Sequence, residues 1–291
     1  MLRQNFLKFC CEDLWISFVG GKLLGRNHNG VTAACLSEKQ SACFALTCRF
    51  DQRPGDFTSP ASFVFFHIRE KDVSSELTDH QVDFVVNSHW HYDHTDGNEN
   101  FGRAGALIVA HDNSRRRMAT DQVVSLSNRA QPAYSDVGLP KITFLESMRF
   151  YYNDNTIDVF YTGPGHTDGD AQVYFRDSNV IHTGDMFVRY GLPYIDHGNG
   201  GSLDGMIDAL WAIAGLIDDQ TIIIPGHGQL SRRTDLLEFR AMLATIRDRI
   251  KSGIARGLSV EQVIASNPAR GYADPGGGTP GWVTTAYESY R

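Results

Sequence analysis

Three histidines and an aspartate directly follow an apolar run that is typical of a buried β-strand. The apolar run is Val82-Asp83-Phe84-Val85-Val86-Asn87, and the segment after it reads His89-Trp90-His91-Tyr92-Asp93-His94. Residues two positions apart in an extended chain point to the same side, so His89 and His91 can address one point. Asp93 and His94 follow at the turn into a helix that we expect to begin near Thr95. This one segment can therefore supply ligands to two adjacent metal ions.

Three further ligand-type residues lie in glycine-containing segments after other short apolar runs. They are His166 in Gly163-Pro164-Gly165-His166-Thr167, Asp185 in His182-Thr183-Gly184-Asp185, and His227 in Pro225-Gly226-His227-Gly228. Each alone is more often a hydrogen-bonded polar residue than a metal ligand. The whole set, five imidazoles and two carboxylates, follows strands in the order expected for two sheets that share one rim. Imidazole and carboxylate without thiolate suit zinc, and iron or manganese is also possible.

The rest of the chain alternates between strand and helix patterns. Further strands are predicted at Leu14–Val19, Ala42–Thr47, Ser62–Phe66, Ala106–Ala110, Ile157–Thr162, Ala171–Phe175, Val180–Thr183 and Thr221–Pro225. Helices are predicted after capping residues: Ser202 before a helix to about Ile217, Thr234 before the stripe Leu236-Phe239-Leu243-Ile246-Ile250, and Ser259 in a capping box. The tail from Asn267 is rich in Gly and Pro and is predicted to be irregular. The alternation predicts sheets covered by helices.

Together, the four ligand motifs resemble those of the metallo-β-lactamase-fold hydrolases. The resemblance runs from about Val82 to Lys251 and includes the Asp96-Gly97-Asn98 that follows the first motif. It implies an α+β fold, an αββα sandwich of two mixed β-sheets flanked by helices, with a metal site at one rim of the sheets. It also implies the following ligands: His89, His91 and His166 for a first metal ion, Asp93, His94 and His227 for a second, and Asp185 as the bridge between them.

One domain over residues 1–291 is expected from this resemblance. Its parts would be atypical amino-terminal strands at 1–60, a metal-binding core at 61–252, and a carboxyl-terminal helix and irregular tail at 253–291.

The resemblance implies a dinuclear zinc hydrolase. Two zinc ions would generate a hydroxide that attacks a small amide, ester, lactone or thioester, and Asp93 would act catalytically by orienting that hydroxide. The expected reactions include hydrolysis of β-lactams, because β-lactams are strained amides that a metal-bound hydroxide can open. Residues of the loop after Asp185 are candidates for substrate contact, with ordinary loop packing as the alternative: Phe187, Arg189, Tyr190, Tyr194 and His197. Arg189 could pair with a substrate carboxylate.

Several other functions compete with this interpretation. The full ligand set is similar to that of hydroxyacylglutathione hydrolases, but Pro-Gly-His227-Gly replaces their usual Cys-Gly-His-Glu. A mononuclear iron site of the persulfide dioxygenase type would need only two histidines and an aspartate, so the complete second site argues against it. A phosphodiesterase or nuclease is a third possibility. A binding scaffold without activity would be expected to have lost ligands, and none is lost.

The charge of the chain bears on its partners. Acidic residues outnumber basic ones 34 to 27, giving a net charge of −7, so the chain has no global attraction for nucleic acid or anionic lipid. No apolar run approaches the roughly 18 residues of a membrane-spanning helix. Lys8 and Glu12 interrupt the apolar start, which makes a poor secretory signal. We expect a small-molecule substrate, no nucleic acid, no membrane and a cytoplasmic location, with the oligomeric state open.

Overall fold

The computed structural model describes residues 82–124, 128–152, 155–272 and 278–291 with their side chains, and the backbone of six strands before them. These six are β1 (Phe9–Cys11), β2 (Leu14–Val19), β3 (Lys22–Asn27), β4 (Val31–Leu36), β5 (Phe44–Cys48) and β6 (Ser62–Val64). The later strands are β7 (Val82–Val86), β8 (Leu107–His111), β9 (Gln122–Val124), β10 (Arg129–Gln131), β11 (Ile142–Phe144), β12 (Ser147–Tyr152), β13 (Asn155–Tyr161), β14 (Ala171–Phe175), β15 (Val180–His182) and β16 (Ile222–Ile224).

Seven α-helices lie in the part of the chain that the structure describes. They are α1 (Tyr92–Thr95), α2 (Asn98–Arg103), α3 (Asp112–Met118), α4 (Leu203–Leu216), α5 (Arg233–Ala255), α6 (Val260–Ala265) and α7 (Thr279–Ser289). None of these described helices is long and apolar enough to cross a bilayer.

The chain divides into two compact units. The first comprises Met1–Gln122, Gln131–Asp158 and Phe175–Ser178, and the second comprises Val123–Ala130, Val159–Tyr174 and Asn179–Arg291.

The first unit contains two sheets of different kinds. Strands β1 to β5 form an antiparallel sheet in chain order. Strands β11, β8, β7 and β6 lie side by side in that order and are all parallel. A small core joins β7 and β8 to α2 through Val82, Val85, Phe101, Ala106 and Ile108. Because parallel strands point the same way, the carboxyl ends of β7 and β8 meet at one edge of this sheet.

The second unit has its main core between a sheet and two helices. Strands β14, β15 and β16 lie in that order, and β15 and β16 are parallel. Helix α5 buries the apolar stripe predicted from sequence, and α4 buries Met206, Leu210 and Ile213 in the same core. Ser202 caps α4 as predicted, because its hydroxyl accepts the N–H of Gly205 at 3.1 Å.

Most predicted elements are confirmed with small shifts at their ends, and two strands, Leu14–Val19 and Ala171–Phe175, match to the residue. The capping box at Ser259 is also confirmed. The first helix after the histidines begins at Tyr92, not near Thr95. It can begin there because Thr95 donates its hydroxyl to the carbonyl of His91 at 2.8 Å and closes the turn early.

Two helix predictions near the carboxyl end are wrong. Thr234 is not the cap of α5: Arg232 holds that position, and its N–H is bound by the Asp235 carboxylate at 2.8 Å. The tail after Asn267 is not irregular throughout, because α7 lies within it. Pro280 lies in the first turn of α7, where its missing N–H costs no hydrogen bond. The buried residues Val283, Ala286 and Tyr287 then give α7 the spacing of an amphipathic helix.

Candidate metal centre

The four ligand-type residues that follow β7, His89, His91, Asp93 and His94, are called the first ligand set. The three imidazoles are almost completely buried, with exposures of 1%, 3% and 5% in chain order. The ring centroid of His89 lies 4.8 Å from that of His91 and 4.1 Å from that of His94. His89, Asp93 and His94 each offer one ligand atom, and these atoms lie within 4.8 Å of one another. The segment therefore concentrates buried lone-pair donors around one small volume.

Buried hydrogen bonds fix the backbone of this segment. Asn87 and Asn98 exchange two amide hydrogen bonds of 2.9 Å, and the Asn87 amide also donates to the carbonyl of His94 at 3.2 Å. On the other side, Gln131 donates to the carbonyl of Trp90 at 2.8 Å. These supporting residues were not predicted from the sequence, although Asn98 belongs to the Asp96-Gly97-Asn98 segment that accompanies the first motif. Since each partner is itself buried, the histidines sit on a rigid support.

A serine that precedes the first histidine contacts two of the imidazoles. The Ser88 hydroxyl oxygen lies 3.1 Å from Nδ1 of His89 and 3.3 Å from Nδ1 of His94. His94 turns its other nitrogen, Nε2, toward Asp93, at 3.5 Å from Oδ2. The Nδ1 atoms thus face the protein, which leaves Nε2 of each ring as the available ligand atom.

The second ligand set consists of His166, Asp185 and His227. Oδ2 of Asp185 lies 3.6 Å from Nε2 of His166 and 3.3 Å from Nε2 of His227. Nδ1 of His166 lies 2.7 Å from the carbonyl oxygen of Tyr194. A carbonyl can only accept, so this Nδ1 carries a proton, and in the neutral imidazole Nε2 carries the lone pair. One buried carboxylate oxygen therefore faces two imidazole nitrogens.

Close backbone contact holds Asp185 and His227 together. Asp185 lies in a 3₁₀ turn just after β15, and His227 follows the end of β16. The N–H of Gly226 donates to the carbonyls of Gly184 at 2.9 Å and Phe187 at 3.0 Å. The N–H of Arg189 donates to the carbonyl of His227 at 2.9 Å. These bonds fasten the two ligand turns directly to each other.

The loop that carries His166 is organised by a buried carboxyl group. Asp170 accepts the Thr167 N–H at 2.9 Å and the Thr167 hydroxyl at 2.7 Å. Burial, together with the nearby charge of Asp185, raises the pKa of Asp170 to about 7, although the hydrogen bonds from Thr167 and Gly165 oppose the rise. Asp170 was not predicted from the sequence, because nothing in its spacing distinguishes it from a surface turn residue.

The five candidate substrate residues fall into different environments. Phe187 is fully buried and packs edge-on against Phe239 of α5, with ring centroids 5.2 Å apart. Arg189 lies 3.3 Å from the carboxylate of Asp235, so its charge already has a partner. Tyr190 is 44% exposed, and its ring centroid lies 5.8 Å from that of His227.

The remaining two candidates lie further along the same loop. Tyr194 contributes its carbonyl oxygen to His166, as described above. His197 is half-buried in a short 3₁₀ turn, and burial lowers its imidazole pKa. Tyr190 is thus the candidate that combines an exposed ring with a ligand-type neighbour.

The donor chemistry fits a divalent cation. In the neutral His166 imidazole Nε2 has no proton to donate, so its approach to Asp185 brings two electron-pair donors together in a buried place. A divalent cation would stabilise that arrangement, because buried charged groups are paired or coordinate metals. The cysteines all lie within the first 48 residues of the sequence and belong to neither ligand set. Imidazole with carboxylate is the donor set that zinc accepts in catalytic sites.

The sequence profile of the metallo-beta-lactamase superfamily matches residues 67–227, which include all seven ligand-type residues. The chain belongs to this superfamily. It is similar to metallo-beta-lactamase type 2 of Pseudomonas aeruginosa, with 24% identity over 120 residues, 41% of this chain and 43% of that protein. It is also similar to hydroxyacylglutathione hydrolase of Rhodospirillum rubrum, with 25% identity over 148 residues, 50% of this chain and 48% of that protein. The chain thus spans just under half the length of these relatives.

Solved structures show the fold. The chain is similar to the metallo-beta-lactamase TMB-1 with a TM-score of 0.56 and 14% identity, over 78% of this chain and 98% of that one. For the B3 metallo-beta-lactamase BLEG-1 the TM-score is 0.55 with 17% identity, over 72% of this chain and 96% of that one. A metallo-beta-lactamase from Pontibacter korlensis gives 0.51 with 17% identity, over 82% and 98%. The predicted α+β fold of mixed sheets flanked by helices is confirmed.

Proposed function

We propose that this member of the superfamily is a dinuclear zinc hydrolase that cleaves a small amide, ester, lactone or thioester. The observation that carries the proposal is the position of Asp185, whose Oδ2 faces Nε2 of both His166 and His227. A carboxylate oxygen between two imidazoles of separate loops is suited to bridge two metal ions. A site with one metal ion would not require such a bridge.

The proposed ligands follow the family pattern residue by residue. His89, His91 and His166 would hold the first zinc ion, Asp93, His94 and His227 would hold the second, and Asp185 would serve both. The assignment draws on both ligand sets. When bound, two zinc ions would lower the pKa of a coordinated water toward about 7 and polarise the scissile carbonyl.

Side chains of the protein would orient the attacking water and the substrate. Asp93 is 22% exposed, more than its neighbour His94, so its carboxylate can accept a hydrogen bond from the attacking water. Tyr190 offers an open aromatic face beside His227 for an apolar part of the substrate. Arg189 is assigned a structural role, because its ion pair with Asp235 and its backbone bond to His227 hold the loop in place.

The substrate class follows from the names of the relatives and from the sequence around His227. Metallo-beta-lactamase type 2 and hydroxyacylglutathione hydrolase are named for cyclic amide and thioester substrates. Pro-Gly-His227-Gly departs from the thioesterase pattern, so we favour strained cyclic amides and lactones over glutathione thioesters.

Metal analysis of the purified protein tests the proposal. We expect two zinc ions per chain, together with hydrolysis of a chromogenic β-lactam or lactone that a chelator abolishes and zinc restores. Asp185→Asn should lower both the zinc content and the activity. Asp208→Asn makes the same change of charge on the exposed face of α4 and should alter neither. One iron ion per chain, or full activity after verified metal removal, would overturn the proposal.

A further inference from the structure

Ser88 is a buried residue, 6% exposed, that stands directly between β7 and the first ligand set. Its hydroxyl oxygen is within hydrogen-bond distance of Nδ1 of His89 at 3.1 Å and of Nδ1 of His94 at 3.3 Å. The short helix α1 returns His94 toward the start of the segment, so the two rings come within 4.1 Å between centroids. One oxygen atom thus contacts two imidazoles that are five positions apart in sequence.

The direction of these hydrogen bonds follows from what each group can do. A neutral imidazole has one N–H and one lone pair, and a metal ligand must turn its lone pair toward the metal. Since Nδ1 of each ring faces Ser88, metal ligation through Nε2 would require the lone pair on Nε2 and place the proton on Nδ1. A hydroxyl oxygen has two lone pairs, so it can accept both N–H groups. Ser88 can therefore fix the tautomer and the ring orientation of both histidines at the same time.

We propose that Ser88 is a positioning residue that couples the two metal ions through His89 and His94. This inference rests on the proposed function, in which His89 belongs to the first zinc ion and His94 to the second. The His89 tautomer with its proton on Nδ1, which ligation of zinc through Nε2 would require, donates to Ser88 and sets the hydroxyl to accept from His94 as well. His94 would then present its Nε2 to the second zinc ion. By linkage the effect is reciprocal, so each zinc ion raises the affinity of the other.

Three variants separate this role from simple packing. Ser88→Ala removes the shared acceptor and leaves two buried N–H groups without it, so both zinc affinities should fall by about 10- to 100-fold. The two binding steps should also become independent of each other. Ser88→Thr keeps the hydroxyl and should retain wild-type binding. Ser114→Ala removes the hydroxyl of another fully buried serine, on α3 of the same unit, and should leave zinc binding unchanged.

The measurement is a zinc titration of metal-free protein against a chromogenic chelator, which resolves the two affinities and their cooperativity. A Ser88→Ala variant with wild-type affinities would refute the role of Ser88. A variant that weakens one site alone would refute the coupling. A wild-type protein that binds fewer than two zinc ions would refute the proposed function itself, and the coupling with it.

A second readout does not depend on a stable variant. Nitrogen-15 NMR of the imidazoles in zinc-loaded wild-type protein reports which ring nitrogen carries the proton. We expect protonated Nδ1 on both His89 and His94, with exchange with water slowed by burial. A proton on Nε2 of either ring would overturn the proposal even if Ser88→Ala failed to fold.

Discussion

Gly226 lies so close to Asp185 that a Cβ atom at position 226 would overlap the carboxylate oxygen Oδ1. The same atom would lie 2.8 Å from the backbone nitrogen of Asp185 and 2.7 Å from the carbonyl carbon of Gly184. The first contact is with a side chain. The other two are with backbone, which the hydrogen bond from the Gly226 N–H to the Gly184 carbonyl holds in place. The 3.3 Å approach of His227 to Asp185 therefore depends on the absence of a side chain at residue 226.

We predict that Gly226→Ala separates the two turns and weakens zinc binding by the second ligand set. Overpacking of this kind should destabilise the protein by about 1–3 kcal/mol. Zinc content and the denaturant midpoint of the metal-free protein are the two measurements.

Gly215→Ala is the matched control, because a Cβ there meets no atom within 4 Å on the exposed side of α4. Alanine in that helix should be neutral or stabilising by up to about 1 kcal/mol. If Gly226→Ala bound zinc as the wild type does, the close contact would have no functional importance.

The positions of the seven ligand-type residues after strands could be predicted because the sequence patterns are local. An apolar run indicates a strand, and the glycine and ligand-type residues that follow it indicate a turn. The cap of α5 was predicted at Thr234 from residue type alone, but Asp235 lies three residues after Arg232 and accepts the Arg232 N–H, so the helix begins earlier. The prediction that residues 1–291 form one domain stays a prediction.

The supporting residues could not be predicted, because their roles depend on folding. Asn98 lies eleven positions from Asn87, and only the packing of α2 against β7 brings the two amides together. Phe187 lies in a loop without periodicity, so no sequence pattern indicates that its side chain turns into the core. Tertiary packing decides where a side chain points in an irregular segment. For this reason one substrate-contact candidate lies in the core, another forms an ion pair and a third is exposed at the surface.

Asp93→Ala should abolish hydrolysis while the first zinc ion stays bound. The reason is that His89, His91 and His166, the three proposed ligands of that ion, remain. Turnover of a chromogenic β-lactam or lactone and zinc content per chain are measured on the same sample. Asp208→Ala is the control for loss of one carboxylate. Unchanged turnover in Asp93→Ala would refute its catalytic role.

Tyr190→Ala should raise KM for substrates with a large apolar group and leave zinc content unchanged. The exposed ring beside His227 provides apolar contact area without coordinating metal in our assignment. Tyr190→Phe keeps the ring and should keep KM, which separates ring contact from hydrogen bonding by the hydroxyl. An equal rise of KM in both variants would assign the effect to the hydroxyl instead.

Arg189 and Asp235 should behave as a structural pair. Single replacements by alanine should each lower stability, and a double-mutant cycle should give a coupling of about 0.2–1 kcal/mol, because both side chains are partly exposed. Neither replacement should change KM for anionic substrates more than KM for neutral substrates. A KM that rises for anionic substrates alone in Arg189→Ala would show that the guanidinium binds a substrate carboxylate.

The metal-free protein should lose stability through Asp170 as the pH rises toward neutrality. Burial raises the pKa of Asp170 to about 7 in the folded state, above its ordinary value of 3.8. A raised folded pKa means that the folded state holds the proton more tightly. The contribution of Asp170 to stability is then complete below about pH 4 and is lost as the pH passes about 7.

The Asp170→Asn variant isolates this effect, because asparagine does not titrate and every other group is shared. The free energy of unfolding of the wild type minus that of Asp170→Asn should fall between about pH 4 and pH 8. Thr167→Val removes a hydroxyl that lowers the pKa of Asp170, so in that background the fall should move to higher pH. Urea unfolding at a series of pH values measures both. A difference that does not vary between pH 4 and pH 8 would mean that the pKa of Asp170 is not raised in the folded state, and its buried carboxylate would then need a compensating positive charge.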